Sequence, residues 1–489
     1  MASLAPSLHQ MLRPRFALSL TSPSSSFSLL GSRHRLVLHH LFASSSQTSA
    51  SLSSTSTTRD AEEEKQGLEV IDVNPPRGTR DFPPEEMRLR NWLFQNFREV
   101  SGVLAFEEVD FPVLESESLF IRKAGEEITQ QLYNFEDKGG RRVVLRPEIT
   151  PSLARLVIKQ GKSVSLPLKW FTIGQCWRYE RMTRGRRREH YQWNMDIFGV
   201  SKVRAEAELI HAIVLLFERL GITSLDVGIR VSSRKVLQSV LEMHNIPEHL
   251  FTQVCVVVDK LGKITREEIE KELISVGVSS EAINGIIEVL SIKSLSKLEE
   301  VLGSEREAVA DLKKLFSLAE HYGYSQWISF DASVVRGLAY YTGIVFEAFD
   351  REGKLRAICG GGRYDRLLST FGSDDISACG FGFGDAVIIE LLKEKGLLPD
   401  LVRQVDDIVF PLDSELEGPA SMVVSSLRKK GRSVDLIEDK RLKWVFKHVE
   451  RINAERLILV GNSEWQRGMV RVKILSTREE YDVSVDELV

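Results

Sequence analysis

The stretch KWFTIGQCWRYERMTRGRRREHYQWNMDIFGV, residues 169–200, decides the fold. It reads as two strands joined by a long basic loop. In the second strand Tyr191, Trp193, Met195 and Ile197 alternate with Gln192, Asn194 and Asp196, the two-residue period of a sheet. One face is apolar enough to be core, and the other carries two amides and a carboxylate. The incoming strand sets Arg178 and Glu180 on one face, with Trp177 and Tyr179 on the other. Between the strands, the ten residues from Arg181 to His190 hold five arginines: Arg181, Arg184, Arg186, Arg187 and Arg188. Guanidinium groups pair with phosphate oxygens in a planar, bidentate fashion. A polar strand face beside such a loop therefore suits a small polar ligand plus phosphates.

The chain of 489 residues is too long for one hydrophobic core, so two or three domains are expected. It has no apolar run long enough to span a bilayer, and no membrane partner is expected. The four cysteines (Cys176, Cys255, Cys359, Cys379) show neither CxxC spacing nor nearby histidine clusters. That argues against structural zinc and a disulfide framework, and no metal ligands are assigned.

Residues 1–59 contain no Asp or Glu, 17 serines and five arginines spread among short apolar patches, the signature of an organellar transit peptide. Chloroplast and mitochondrial presequences overlap in composition, so import to either or both is the expectation. Without this segment 60 basic and 69 acidic side chains remain, a net charge of about −9. A nucleic-acid binder with that balance must concentrate its positive charge locally, as the loop from Arg181 to Arg188 does.

Residues 60–74 read as a linker, and the turn-rich PPRGTRDFPP (75–84) precedes an amphipathic helix from Glu85 to about Val103. FEEVDFPVLES then predicts one strand, with Val109, Phe111 and Val113 on a face and Pro112 marking a sheet edge. Helix and edge strand suit a dimer surface or burial within one subunit. Residues 132–145 predict a hairpin turning at Gly139-Gly140, and a helix is expected from Thr150-Pro151. Glu148, just past a strand end, either points into a cleft or caps that helix. A helix spans 203–220, and 222–326 read as an inserted helical module with solvated charge runs.

Further on, Arg336-Gly337-Leu338 interrupts a strand-like region and is followed by Tyr340-Tyr341. Strands are expected at Ile344–Phe349 and Leu355–Cys359, then a triple glycine (360–362), Arg363-Tyr364-Asp365 and a helix. CGFGFGD (379–385) places Gly380, Gly382 and Gly384 on one strand face, and Asp385 is expected to cap a helix closed by Gly396. A strand face without side chains lets a planar ring or a phosphate approach the backbone. Neither glycine cluster fits a P-loop or GxGxxG. Residues 405–489 read as a small α/β domain. Its helix bearing Lys440, Arg441, Lys443, Trp444 and Lys447 is either an RNA contact or a solvated face.

Three blocks, RYERMTRGRRREHYQWNMDIFG, VVRGLAYYTGIVFEAF and AICGGGRYDRLLSTFG, together with RGTRDFPP and LRPEIT, resemble the class II aminoacyl-tRNA synthetases, specifically the histidyl-tRNA synthetase family. The resemblance runs from about residue 75 to the C-terminus. It implies an α+β fold: a catalytic antiparallel sheet of about seven strands with flanking helices (75–221 and 327–400), a helical insertion (222–326), and a C-terminal α/β anticodon-binding domain (405–489). It implies a homodimer, with the Pro112 strand at the interface. It also implies ATP-dependent activation of L-histidine, with Mg2+, and transfer to tRNA(His). On the matching positions, Arg178 and Arg336 would clamp the α-phosphate and the substrate carboxylate. Glu148, Thr150 and Gln192 would hold the α-amino group, and Asp196 and Tyr341, beside Tyr340, would grip the imidazole. Glu180, Arg186, Arg188, His190, Gly382 and Gly384 would line the ATP site, the loop arginines meeting ATP phosphates or the tRNA acceptor end.

Two positions depart from the family pattern. Its third motif ends in an arginine for the γ-phosphate, and Val387 stands there; Arg363 or a loop arginine could replace it. His190 stands where an aromatic ring often covers adenine. The alternative reading is a catalytically inactive, histidine-sensing regulatory subunit, such as that of ATP phosphoribosyltransferase. A general RNA-binding scaffold would not need Glu148, Gln192 and Asp196 together.

Overall fold

The computed structural model describes residues 71–121, 129–261, 264–335, 340–402 and 405–488. The expected transit peptide and the segment Arg336–Ala339 lie outside the described residues.

Helix α1 (Pro84–Val103) begins on a proline whose fixed φ suits a first turn, and it buries Leu93, Phe97 and Val100. The single strand expected across Pro112 is instead two: β1 (Glu107–Glu108), which joins a large sheet, and β2 (Leu114–Ser116), which joins a small one. Proline offers no N–H to a ladder, and Pro112 lies in the break between them. Strands β3 (Tyr133–Glu136) and β4 (Arg142–Leu145) form the predicted hairpin, with Gly140 at φ +73° in its turn. Helix α2 (Thr150–Gln160) follows, with Pro151 in its first turn.

Strands β5 (Leu168–Trp177) and β6 (Glu189–Phe198) pair antiparallel from Leu168↔Phe198 to Trp177↔Glu189. Arg178 and Glu180, expected on the incoming strand, lie just beyond it, where the Arg178 backbone N–H donates to Arg188 O at 2.8 Å. Helix α3 (Arg204–Arg219) packs on the apolar face of β6. Strand β7 (Val227–Ser233) is part of the large sheet, so helices of the inserted region begin only at Arg234 and run to Tyr322. Then come β8 (Ile328–Phe330), β9 (Ile344–Asp350), β10 (Cys359–Arg363), β11 (Ala378–Gly384) and α4 (Asp385–Lys395).

The large sheet runs β1-β5-β6-β11-β10-β9-β7-β8. Eight strands stand where about seven were expected. The central six are antiparallel throughout, and the short edge strands β1 and β8 pair in parallel. The strand expected at 355–359 is shifted to 359–363, so the triple glycine lies inside β10. The helix expected directly after Asp365 does not form; turns lead to a short 3-10 segment, Ser369–Phe371. Helix α4 ends at Gly396 (φ +66°) as expected, but Asp385 does not cap it. Its Oδ1 accepts from the Tyr191 backbone N–H and its Oδ2 from Arg80, both at 3.0 Å.

In the C-terminal region, β12 (Asp407–Pro411), α5 (Glu417–Lys429), β13 (Val434–Leu436), α6 (Leu442–Arg451), β14 (Arg456–Val460), β15 (Met469–Ile474) and β16 (Glu480–Ser484) build a five-stranded sheet, β13-β12-β14-β15-β16, with its own apolar clusters. No helix among the described residues is long and apolar enough to cross a membrane.

Candidate active site

The alternation on β6 sends Trp193, Met195 and Ile197 into the main core. Gln192, Asn194 and Asp196 share the opposite face with β11, where register pairs them with Gly384, Gly382 and Gly380. Gly382 and Gly380 in turn face Gly360 and Gly362 of β10. The result is a floor of bare backbone beside a row of polar side chains. Glycine is required at Gly380, because a Cβ there would overlap Asp196 Oδ1 and lie 2.9 Å from Met195 O. At Gly382 it would come within 3.1 Å of Gln192 Nε2.

Asp196 anchors this face. It is 1% exposed, and its Oδ1 accepts a short hydrogen bond from Tyr364 O–H. Its buried Oδ2 has no hydrogen-bond partner among the described residues. Burial pushes its carboxyl up to about 7, against the opposing pull of the Tyr364 bond. A buried acceptor without a partner is a place for a ligand donor, since an unmade bond to such a group is costly. Asn194 Oδ1 is in the same condition.

Beside Asp196 the second cluster assembles. Tyr340 O–H donates to Glu148 Oε2 at 3.3 Å and hydrogen-bonds Thr150. Its ring lies 5.0 Å from Tyr341 and 5.8 Å from Tyr364, centroid to centroid. Burial raises the Glu148 carboxyl, with Arg178 and the Tyr340 bond working against it. Glu148 therefore faces the cluster and does not cap α2, which has no side-chain cap. Glu148, Thr150, Asp196, Tyr340 and Tyr341 are thus brought together from three distant stretches of chain.

The other predicted residues form a basic end. Arg178 Nε donates to Pro147 O at 2.9 Å, and its guanidinium lies 3.9 Å from Glu180. Glu180 also pairs closely with Arg186, and Arg188 stacks over the Tyr179 ring at 3.8 Å. His190 is held neutral: burial, then the charges of Arg178, Arg356 and Arg80, push its imidazole down to about 3. Arg363 does not reach this end. It is buried against Glu206 (2.5 and 2.7 Å) and donates to Val200 O at 2.9 Å, which removes it as a phosphate ligand.

Residue patterns alone missed Tyr364 and gave Asn194 a place on the polar face without a role. Tyr364 follows a strand end, and its partner lies far back in the chain, so only its place beside the glycine run hinted at a site. Asn194 stands in the quoted alternation and was readable as a third polar residue on the ligand face.

A model of the histidyl-tRNA synthetase family matches residues 78–385, and an anticodon-binding-domain model matches 407–489. The chain is 68% identical over 419 residues to the chloroplastic/mitochondrial histidine–tRNA ligase of Arabidopsis thaliana, covering 86% of each. The chain belongs to the histidyl-tRNA synthetase family. A Nostoc histidyl-tRNA synthetase structure superposes with a TM-score of 0.68 at 24% identity, covering 85% of this chain and 98% of its own. A Bacillus halodurans structure titled as an ATP phosphoribosyltransferase regulatory subunit/histidyl-tRNA synthetase gives 0.66 at 22%, covering 80% and 99%. Both show the family fold. The fold alone does not separate synthetase from regulator, and the sequence identity to a ligase does that work.

Proposed function

We propose that this synthetase-family chain is an organellar histidine–tRNA ligase. It joins L-histidine to ATP as the adenylate and passes the histidyl group to the 3′ end of tRNA(His). The observation that carries the reading is Asp196: a buried carboxylate, one oxygen held by Tyr364 and the other open, beside a glycine floor. An imidazole N–H answers that acceptor, and Tyr341 answers the second ring nitrogen. Glu148, Thr150 and Gln192 take the α-amino group.

In the first step the histidine carboxylate oxygen attacks the α-phosphorus, a P–O bond to the leaving pyrophosphate breaks, and Arg178 and Arg336 offset the charge that builds on the phosphoryl oxygens. The neutral His190 ring stacks on adenine without adding charge, and Arg186 and Arg188 meet the triphosphate or the acceptor end. Magnesium would arrive on the ATP phosphates and neutralise them there. The anticodon-binding match supports tRNA as the second substrate. The chloroplastic/mitochondrial label of the Arabidopsis relative supports import by residues 1–59. A homodimer closing over the Pro112 segment fits the exposed Leu114, Ile121 and Phe135 of the small-sheet region.

The test is histidine-dependent ATP–pyrophosphate exchange by the chain lacking residues 1–59. Tight histidine binding without exchange would favour the regulatory reading. Arg336→Ala should lower adenylate formation by orders of magnitude with the fold intact, and near-wild-type rates would show the phosphate clamp to be misassigned.

A further inference from the structure

The tip of the arginine loop is seated on helix α4. Thr183 and Arg186 bridge each other through both backbone N–H groups (3.2 and 2.9 Å), which makes Arg184-Gly185 a two-residue turn. Gly185 sits at φ +69°, and a Cβ there would come within 3.2 Å of Val387 Cγ2. Arg184 reaches past that contact to two carboxylates of the same helix, Glu394 at 2.6 Å and Glu390 at 3.3 Å. Positions 387, 390 and 394 are spaced by three and four residues, so they form one stripe along α4. At its root the loop is tied separately, Arg188 N–H donating to Gly78 O at 3.1 Å.

We propose that the Val387–Glu390–Glu394 stripe is a dock for the loop tip and that Arg184 is a positioning residue, setting where Arg186, bridged to the same turn, stands relative to the nucleotide end of the site. The dock gives the departure at Val387 a physical reason. An arginine there would place a second cation under Gly185 and beside Arg184, repelling the tip, whereas valine offers an apolar seat. What the positioned Arg186 meets rests on the ligase reading; the docking itself does not.

The experiment uses the chain lacking residues 1–59 and the variant Glu390→Gln/Glu394→Gln, which leaves every loop residue in place. Trypsin cleavage between Arg181 and Arg188, followed by mass spectrometry without substrates, should be about three- to ten-fold faster in the variant at low salt, the range expected for two part-exposed ion pairs. The difference should narrow as salt rises. Cleavage elsewhere and Tm should stay unchanged. In pyrophosphate exchange the KM for ATP should rise by a similar factor and the KM for histidine should not. Arg184→Glu should raise the ATP KM, and adding Glu390→Lys/Glu394→Lys to it should restore the value. Wild-type loop cleavage in the double variant overturns the dock, as does acceleration spread evenly over the chain. Faster loop cleavage with an unmoved ATP KM overturns the positioning role. A wild-type chain without exchange activity sinks the ligase reading, while the cleavage rates still decide the dock.

Discussion

The ionisation of Asp196 should be visible in how the enzyme binds histidine. Burial raises its carboxyl to about 7, above the usual carboxylate value of 3.8. The folded chain therefore holds a proton there that the unfolded chain has released between about pH 4 and pH 7, so this group's contribution to stability falls as pH rises through that window. Binding should run the other way, because the ionised Oδ2 makes the stronger, charge-assisted bond to an imidazole N–H. With that value, roughly one-tenth of the sites are ionised at pH 6 and nine-tenths at pH 8, a gain of about nine-fold. Free histidine itself loses its ring proton near pH 6.5, and its neutral share rises about four-fold over the same interval. The KM for histidine in pyrophosphate exchange should thus fall about 35-fold between pH 6 and pH 8. Asp196→Asn should show a higher KM throughout and retain only the roughly four-fold change that belongs to the substrate. An Asn variant with the wild-type pH slope would refute the assignment of Asp196 to the imidazole.

Tyr364→Phe removes the donor to Asp196 Oδ1, so the histidine KM should rise about ten-fold and the pH midpoint should move upward, since the lost bond favoured the charged form; an unmoved midpoint in the exchange assay would count against the pair. Arg363→Leu strands the buried Glu206 and should cost about 3–5 kcal/mol, read calorimetrically as a Tm lowered by roughly 10 °C. A drop of only a degree or two would mean that the pair adds little. Gly380→Ala forces a Cβ onto Asp196 Oδ1 and should raise the histidine KM more than ten-fold, at a stability cost of about 1–3 kcal/mol. Unchanged kinetics would show that the floor relaxes without moving the carboxylate.

Much of the geometry of this candidate site is legible in the sequence because it is built from periodic strands. Alternation on β6 separates its core and polar faces, and the glycine spacing on β11 predicts a bare surface. What failed was what depends on partners remote in sequence. Arg363 looked like a spare cation, but Glu206 holds it from α3. Asp385 had the form of a helix cap, yet Arg80 and the Tyr191 N–H take its oxygens. Across Pro112 the apolar alternation continues where the ladder cannot, so the pattern predicts one strand where two form. Strand β7 is hidden in the sequence, since its short run borders a long helical stretch and its neighbour β9 lies more than a hundred residues downstream.

The apolar interior has a consequence for how the chain comes apart. One continuous cluster joins Trp193 and Met195 of the sheet, Phe217 of α3, and Val240, Ile286 and Leu312 of the inserted region. A module grafted on by its two ends would melt by itself, but a module that shares its interior with the host cannot loosen without opening the host. Sheet and insertion should therefore unfold as one cooperative unit. The C-terminal sheet, whose clusters contain none of those residues, has the means to unfold separately. Histidine, held at Asp196 as proposed, would then protect the inserted helices as firmly as the large sheet, by about 2.7 kcal/mol at a hundred times its Kd, and leave the C-terminal unit where it was.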